Sequence, residues 1–238
     1  MGAFIFDGQA SREFHVQVER FPNLNGAKKR REKTSISGKS GDLIEDDNIY
    51  ENTEQPYEIY FSAETEPGAY PLLSRKIRGW LLSVRGYARL EDSYDTDYFR
   101  LASFEGPLEI ENIMNLFGRC TLTFDCKPFR YRKSGEKSLV LTSSNTLYNP
   151  ERFPSKPYIK IVGNGAGTLM VGSQTLTLKE IDEYLEIDCE MMNCFKGTEL
   201  RNSMVSGNLF PELLPGKNGI SWTGNISRVE IKPRWCTL

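Results

Sequence analysis

The stretch Phe210–Trp235, FPELLPGKNGISWTGNISRVEIKPRW, decides how the chain is read. Two turn signals punctuate it, Pro215-Gly216-Lys217-Asn218-Gly219 and Gly224-Asn225. Gly and Asn supply the positive-φ positions that tight hairpins require. Ile220–Thr223 and Ile226–Ile231 have strand character between and after them. Pro233 cannot donate to a ladder, so it is expected to end the last strand or lie on an edge. A chain closing on such a hairpin and then Trp235 is expected to complete a β-sandwich.

The spacing "FP-x-L-x-PG-x-N-x-I", then "G-x-I" and "V-x-I-x-PRW", is carried by Phe210, Pro211, Leu213, Pro215, Gly216, Asn218, Ile220, Gly224, Ile226, Val229, Ile231, Pro233, Arg234 and Trp235. It resembles the distal tail (Dit) family of long, flexible-tailed bacteriophages. A second resemblance to the same family lies upstream, in SGKSGDL and then Y-E-N, on Gly38, Gly41, Asp42, Leu43, Tyr50 and Glu51. A third is the segment Leu122–Arg130, similar to the family's "F-x-C-K-P" strand.

Working outward, 238 residues suffice for one large domain or two of ordinary size. Apolar content of 39% and charged content of 26% are those of a soluble globular protein. The longest apolar runs, such as Trp80–Leu82, are far too short to span a bilayer, and the N-terminal residues lack a signal-peptide pattern. A cytosolic site of synthesis is expected. The five cysteines, Cys120, Cys126, Cys189, Cys194 and Cys236, include no C-x-x-C pair, which argues against a disulfide framework or a zinc site and for small buried thiols. Residues 1–131 hold 17 basic and 21 acidic residues and residues 132–238 hold 13 and 11, so neither half has the balance of a dedicated nucleic-acid binder.

Along the chain, Phe14, Val16 and Val18 alternate with His15, Gln17 and Glu19 as in a half-buried strand. The one dense basic run, Lys28-Lys29-Arg30-Arg31-Glu32-Lys33, reads as a phosphate-contacting patch or as a solvated loop or charged strand start. The absence of nearby aromatics favours the second. From Gly41 to Ser74 there is no Lys or Arg but nine acids, from Asp42 to Glu66. Asp42–Asp47 lacks the alternating ligands and central Gly of an EF-hand. A basic run followed by an acidic segment invites pairing, within one chain or between copies.

The spacing of Leu72, Leu73, Ile77, Trp80, Leu81 and Val84 predicts a helix over Ala69–Leu82, with Pro71 suiting its first turn and Gly86 its stop. Phe104–Asn112 and Cys120–Cys126 read as strands, and Tyr131–Lys137 as a linker. Gly163–Gly167 reads as a turn between Tyr158–Val162 and Thr168–Val171; without a following helix its G-x-G is no dinucleotide loop. Lys196–Gly207 reads as a polar loop. Short strands with turns every eight to twelve residues point to a sandwich.

Catalytic equipment is sparse. His15 is the sole histidine, no nucleophile elbow or phosphate loop is present, and Asp92, Asp95 and Asp97 read as a polar hairpin tip. No enzyme, cofactor or metal is expected. The fold expected is mainly β with one α-helix; the family resemblance implies that residues 1–131 form a ring-forming, tail-tube-like β-sandwich and residues 132–238 a galectin-like β-sandwich. The family resemblance implies a structural virion protein at the tail tip, assembled in the host cytoplasm as a ring, commonly hexameric, that joins the tail tube to the tail-tip hub. Its implied partners are itself, the major tail tube protein, the tail-tip hub protein and a receptor-binding protein; neither sequence-specific nucleic acid nor membrane is a partner. The candidate subunit interface comprises Lys28, Lys29, Arg30, Arg31, Asp42, Leu43, Asp46, Asp47 and Tyr50. A carbohydrate-binding module, using exposed aromatics such as Trp222 and Tyr184, is the alternative, with a carboxylate-only glycosidase behind it.

Overall fold

A computed structural model describes residues 2–63, 69–114, 116–207 and 210–238. The turn read over 64–68 lies outside them. The chain divides into two compact units, 1–130 with Leu238, and Tyr131–Thr237. Among the described residues, no helix is long and apolar enough to cross a membrane.

The first unit contains β1 (Phe4–Phe6), β2 (Gln9–Ala10), β3 (Val16–Val18), β4 (Lys29–Ser35), β5 (Asp42–Tyr50) and β6 (Thr53–Ser62). Then come α1 (Ala69–Ser83), β7 (Ala88–Asp92), β8 (Tyr98–Ser103), β9 (Glu111–Ile113) and β10 (Phe117–Arg132). The main sheet runs β2-β1-β7-β8-β10-β6-β3, with β9 on β10. A bridge from Gly2 to Val18 brings β3 back toward β1, so the sheet curls around its core. In β6 every second residue from Thr53 to Phe61 is buried, the period-two pattern of a strand with one wet face.

The helix forms where its apolar spacing predicts, and it buries Leu73, Ile77, Trp80 and Leu81. Leu72 departs from the expected stripe and is 50% exposed. Trp80 stacks on Phe14 at 4.4 Å and donates its indole N–H to the Phe6 carbonyl at 3.2 Å, which fixes the helix on the sheet. Gly86, with φ of 70°, follows the helix.

Two local readings change here. Phe14, read as the start of a strand, ends a 3₁₀ turn (Ser11–Phe14), and the exposed His15 sits in left-handed conformation after it (φ 55°), so only Val16–Val18 pair with β6. Within Phe104–Asn112, β9 begins only at Glu111.

The second unit contains β11 (Leu139–Leu141), β12 (Asn145–Asn149), β13 (Tyr158–Val171), β14 (Gln174–Ile181) and β15 (Tyr184–Asp188). It continues with β16 (Asn193–Lys196), β17 (Glu199–Leu200), β18 (Val205–Gly207) and β19 (Gly216–Lys232). The run read as a polar loop, Lys196–Gly207, thus contains two short strands. Pro233 ends β19, as its missing N–H requires.

The glycine runs are not turns. β13 and β19 are single long strands that pair antiparallel from Tyr158–Lys232 to Val171–Ile220, with register shifts at Gly163 and Gly167. Before the shift β13 pairs β15 on its other edge, and after it β14. On the outer edge of β19 the partner changes from β12 to β11. Two strands thus pass from one layer of a sandwich into the other, and a bulged corner permits this. At the corner a Cβ on Gly163 would sit 2.3 Å from the Asn225 carbonyl oxygen, and one on Gly167 2.5 Å from that of Thr223. Only glycine admits such an approach. Ile159, Ile161, Leu169, Val171, Val229 and Ile231, from both halves of the pair, fill one core.

The PG-x-N motif closes the entry to β19. Buried Asn218 accepts from the Leu214 N–H at 2.9 Å and donates to the Leu214 and Gly216 carbonyls at 2.7 and 3.1 Å. Leu213 is wholly buried and bridges to Ser155. After β19, Arg234 grips Asp188 with two hydrogen bonds of 2.8 Å, and Trp235 enters the core. Burial works against ionisation of Asp188, but the bonds from Arg234 and from the Met191 N–H outweigh it and hold the carboxyl below its ordinary range.

Candidate functional site

The basic run and the acidic segment are the two strands of one hairpin. β4 and β5 pair with each other and lie in neither large sheet. Gly38 and Gly41, at φ of 82° and 90°, frame the turn between them. A two-stranded hairpin with both faces wet is marginal alone in water.

The charges are largely spent inside the arm. Asp46 receives Lys29 at 2.6 Å and Arg31 at 3.2 Å, and Asp47 receives Arg30 at 2.6 Å. Lys28 lies 3.6 Å from Glu51 at the arm's base. Asp46 and Asp47 also cap the N–H groups of Asn48 and Ile49. The hydrogen bond from Lys29, then that from the Asn48 N–H, holds Asp46 below the usual carboxylate range; Arg30 and the Ile49 N–H do the same for Asp47. Tyr50 stands at the base, edge-on to Phe129 with centroids 5.6 Å apart. One pairing is unfavourable: Glu32 lies directly opposite Glu45.

The arrangement therefore brings the basic and acidic residues together as an internal ladder. Among its exposed side chains are four large apolar ones: Ile36, Leu43, Ile44 and Ile49 are 38–50% exposed. Of these only Leu43 is among the residues named from sequence. The others are signalled there by isoleucines scattered through a charged run, which charge counting passes over.

The other sequence candidates have structural occupations. Asp92 caps the N–H groups of Tyr94 and Asp95, each at 2.9 Å, and accepts the Tyr57 hydroxyl at 2.8 Å. Asp95 pairs with Arg130 at 3.2 Å. Trp222 packs partly buried against the second core and donates to the Ile226 carbonyl at 3.2 Å. The Tyr184 ring is covered by Lys160 at 4.2 Å and Lys196 at 5.4 Å. All five cysteines are free and buried.

No family model matches the sequence, and no curated protein matches it either. Among solved structures, the chain is similar to the Dit protein of phage SPP1, described as a hub of the adsorption apparatus in phages infecting Gram-positive bacteria. The TM-score is 0.77 at 14% identity, with 100% of each chain covered. It is also similar to a chain of the phage P2 baseplate in its activated, calcium-bound conformation, with a TM-score of 0.51 at 10% identity over 97% of each chain. At such identities the likeness is one of fold. From end to end, the chain has the fold of the Dit hub protein of a phage tail.

Proposed function

We propose that the chain is a structural protein of a phage tail tip, a distal tail protein whose work is making interfaces. The observation that carries this reading is the whole-chain likeness to the SPP1 hub protein, which spans both units. In this reading copies assemble into a ring, with six as the expected number, that joins the tail tube to the tail-tip hub. The first unit closes the ring, and the second, a galectin-like sandwich, carries receptor-binding parts. The arm β4–β5 supports it: a marginal hairpin with apolar residues outward gains most when a neighbouring copy covers it. Lys28–Arg31, Asp46 and Asp47 then stiffen the arm and Tyr50 anchors it, while Leu43 and the isoleucines make the contact. A cation from the neighbour would also relieve the Glu32–Glu45 opposition.

The test is assembly. Light scattering and negative-stain images of the purified protein at rising concentration should show rings that bind tail-tube or hub protein. A species that stays monomeric at every concentration and joins neither overturns the proposal.

A further inference from the structure

Helix α1 has an outward face that its own unit does not use. Leu72, Arg75, Lys76, Gly79 and Leu82 fall on one stripe of the helix, with Arg78 at its margin, and all are exposed. Leu72 and Leu82 are 50% and 51% exposed. A side chain added at Gly79 would meet no atom within 4 Å, so the stripe has an open notch. The helix sequence AYPLLSRKIRGWLLS contains no acid, and no described acid pairs with Arg75, Lys76 or Arg78. The face is therefore basic and apolar together.

Its complement lies elsewhere in the same unit. A cleft of about 340 Å³ is lined by Glu19, Glu58, Glu109, Glu111, Arg119, Cys120 and Thr121. Arg119 meets Glu19 at 2.6 Å and Arg20 meets Glu58, but no described cation meets Glu109 or Glu111. The cleft stays negative. Beside it, past Glu111 on β9, the hairpin tip exposes Ile113, Met114 and Leu116 at 36%, 83% and 43%. Exposed apolar side chains grouped in this way mark a contact surface.

Strand alternation separates the two surfaces. In β6 and β10, Ile59, Phe61, Cys120 and Leu122 point into the core that α1 helps fill, whereas Glu58, Arg119 and Thr121 point the other way. The helix stripe and the cleft thus lie on opposite sides of these strands. The arm does not answer the helix face, because residues 28–51 carry six basic and six acidic side chains and spend most of them on each other.

We infer that the basic, apolar stripe of α1 docks on the acidic cleft and β9–β10 tip of a second copy of this chain. Such a contact is heterologous, and a heterologous contact repeated with a rotation that closes gives a ring. The inference rests on the ring reading and supplies a contact distinct from the arm.

Two charge-reversed proteins test it: Arg75→Glu/Arg78→Glu and Glu109→Lys/Glu111→Lys. All four positions are exposed, and unchanged circular dichroism and melting verify the fold of each. Native mass spectrometry should find each variant alone about tenfold or more weaker in association than wild type. An equimolar mixture should recover assembly, because each reversed helix then meets a reversed cleft and each native helix a native one. Rings formed unchanged by either variant alone overturn the contact and leave the ring reading standing. Two monomeric variants whose mixture stays monomeric also overturn it, since the two surfaces then do not face each other. A wild-type protein that never associates overturns the ring reading and this contact with it.

Discussion

Gly163, Gly167 and Gly224 look in sequence like turn residues, because Gly clusters usually end strands. In the structure they let two strands cross a sandwich corner with their backbones in contact, a demand set by residues some sixty positions away. Nothing local in the sequence separates those cases. Gly163→Ala is expected to cost about 1–3 kcal/mol, through a clash with the Asn225 carbonyl, read as a lowered urea midpoint. Gly219→Ala is the control: its new methyl meets nothing within 4 Å, and its effect should stay within about 0.5 kcal/mol. The Asp188–Arg234 pair gives a second residue-scale test. Because the Asp188 pKa is lowered, its contribution is present above the ordinary value of 3.8 and is lost as pH falls through the lowered one. Asp188→Asn should cost about 3 kcal/mol at neutral pH, by leaving Arg234 largely unpaired, and should flatten the acid limb of the stability curve.

At the scale of elements, α1 was legible because a period of 3.6 with Pro near its start and Gly beyond its end has few other readings. Leu72 falls on the apolar spacing yet lies exposed, because apolar character alone does not say which leucines are covered. The arm was half legible: opposite charge runs announced a pairing, but chain-internal and intermolecular partners look alike in sequence. Its strands touch neither core cluster. Replacing 29–49 by a short Gly-Ser linker should therefore leave the melting temperature within a few degrees of wild type while abolishing assembly in light scattering. Leu43→Ser/Ile44→Ser should weaken assembly without changing the ladder. Since Asp46 and Asp47 titrate below 3.8, the arm should stay paired above that pH and loosen as pH falls through their lowered values. Hydrogen exchange at its amides measures this.

For the whole molecule, the mainly-β architecture with a single helix was legible from strand-length runs and turn spacing. The passage of β13 and β19 through both layers was not, since it is a property of pairing rather than of any segment. The thiols report on global integrity. Burial raises Cys120 and Cys194 to about 11, and Cys126, Cys189 and Cys236 to about 12. At pH 8 the folded protein should resist alkylation and label at all five positions only as it unfolds. Stability from keeping these thiols neutral is present below about 9 and lost as pH rises through 11 to 12, so alkaline melts should fall in that window.

β19 also has a consequence for synthesis. It pairs with β11, β12 and β13, all made before it. On the ribosome the first unit can fold as it emerges, but those three strands wait with open edges until Gly216–Lys232 follow. A nascent chain stalled after Pro215 should hold a protease-resistant first unit and a second that is digested.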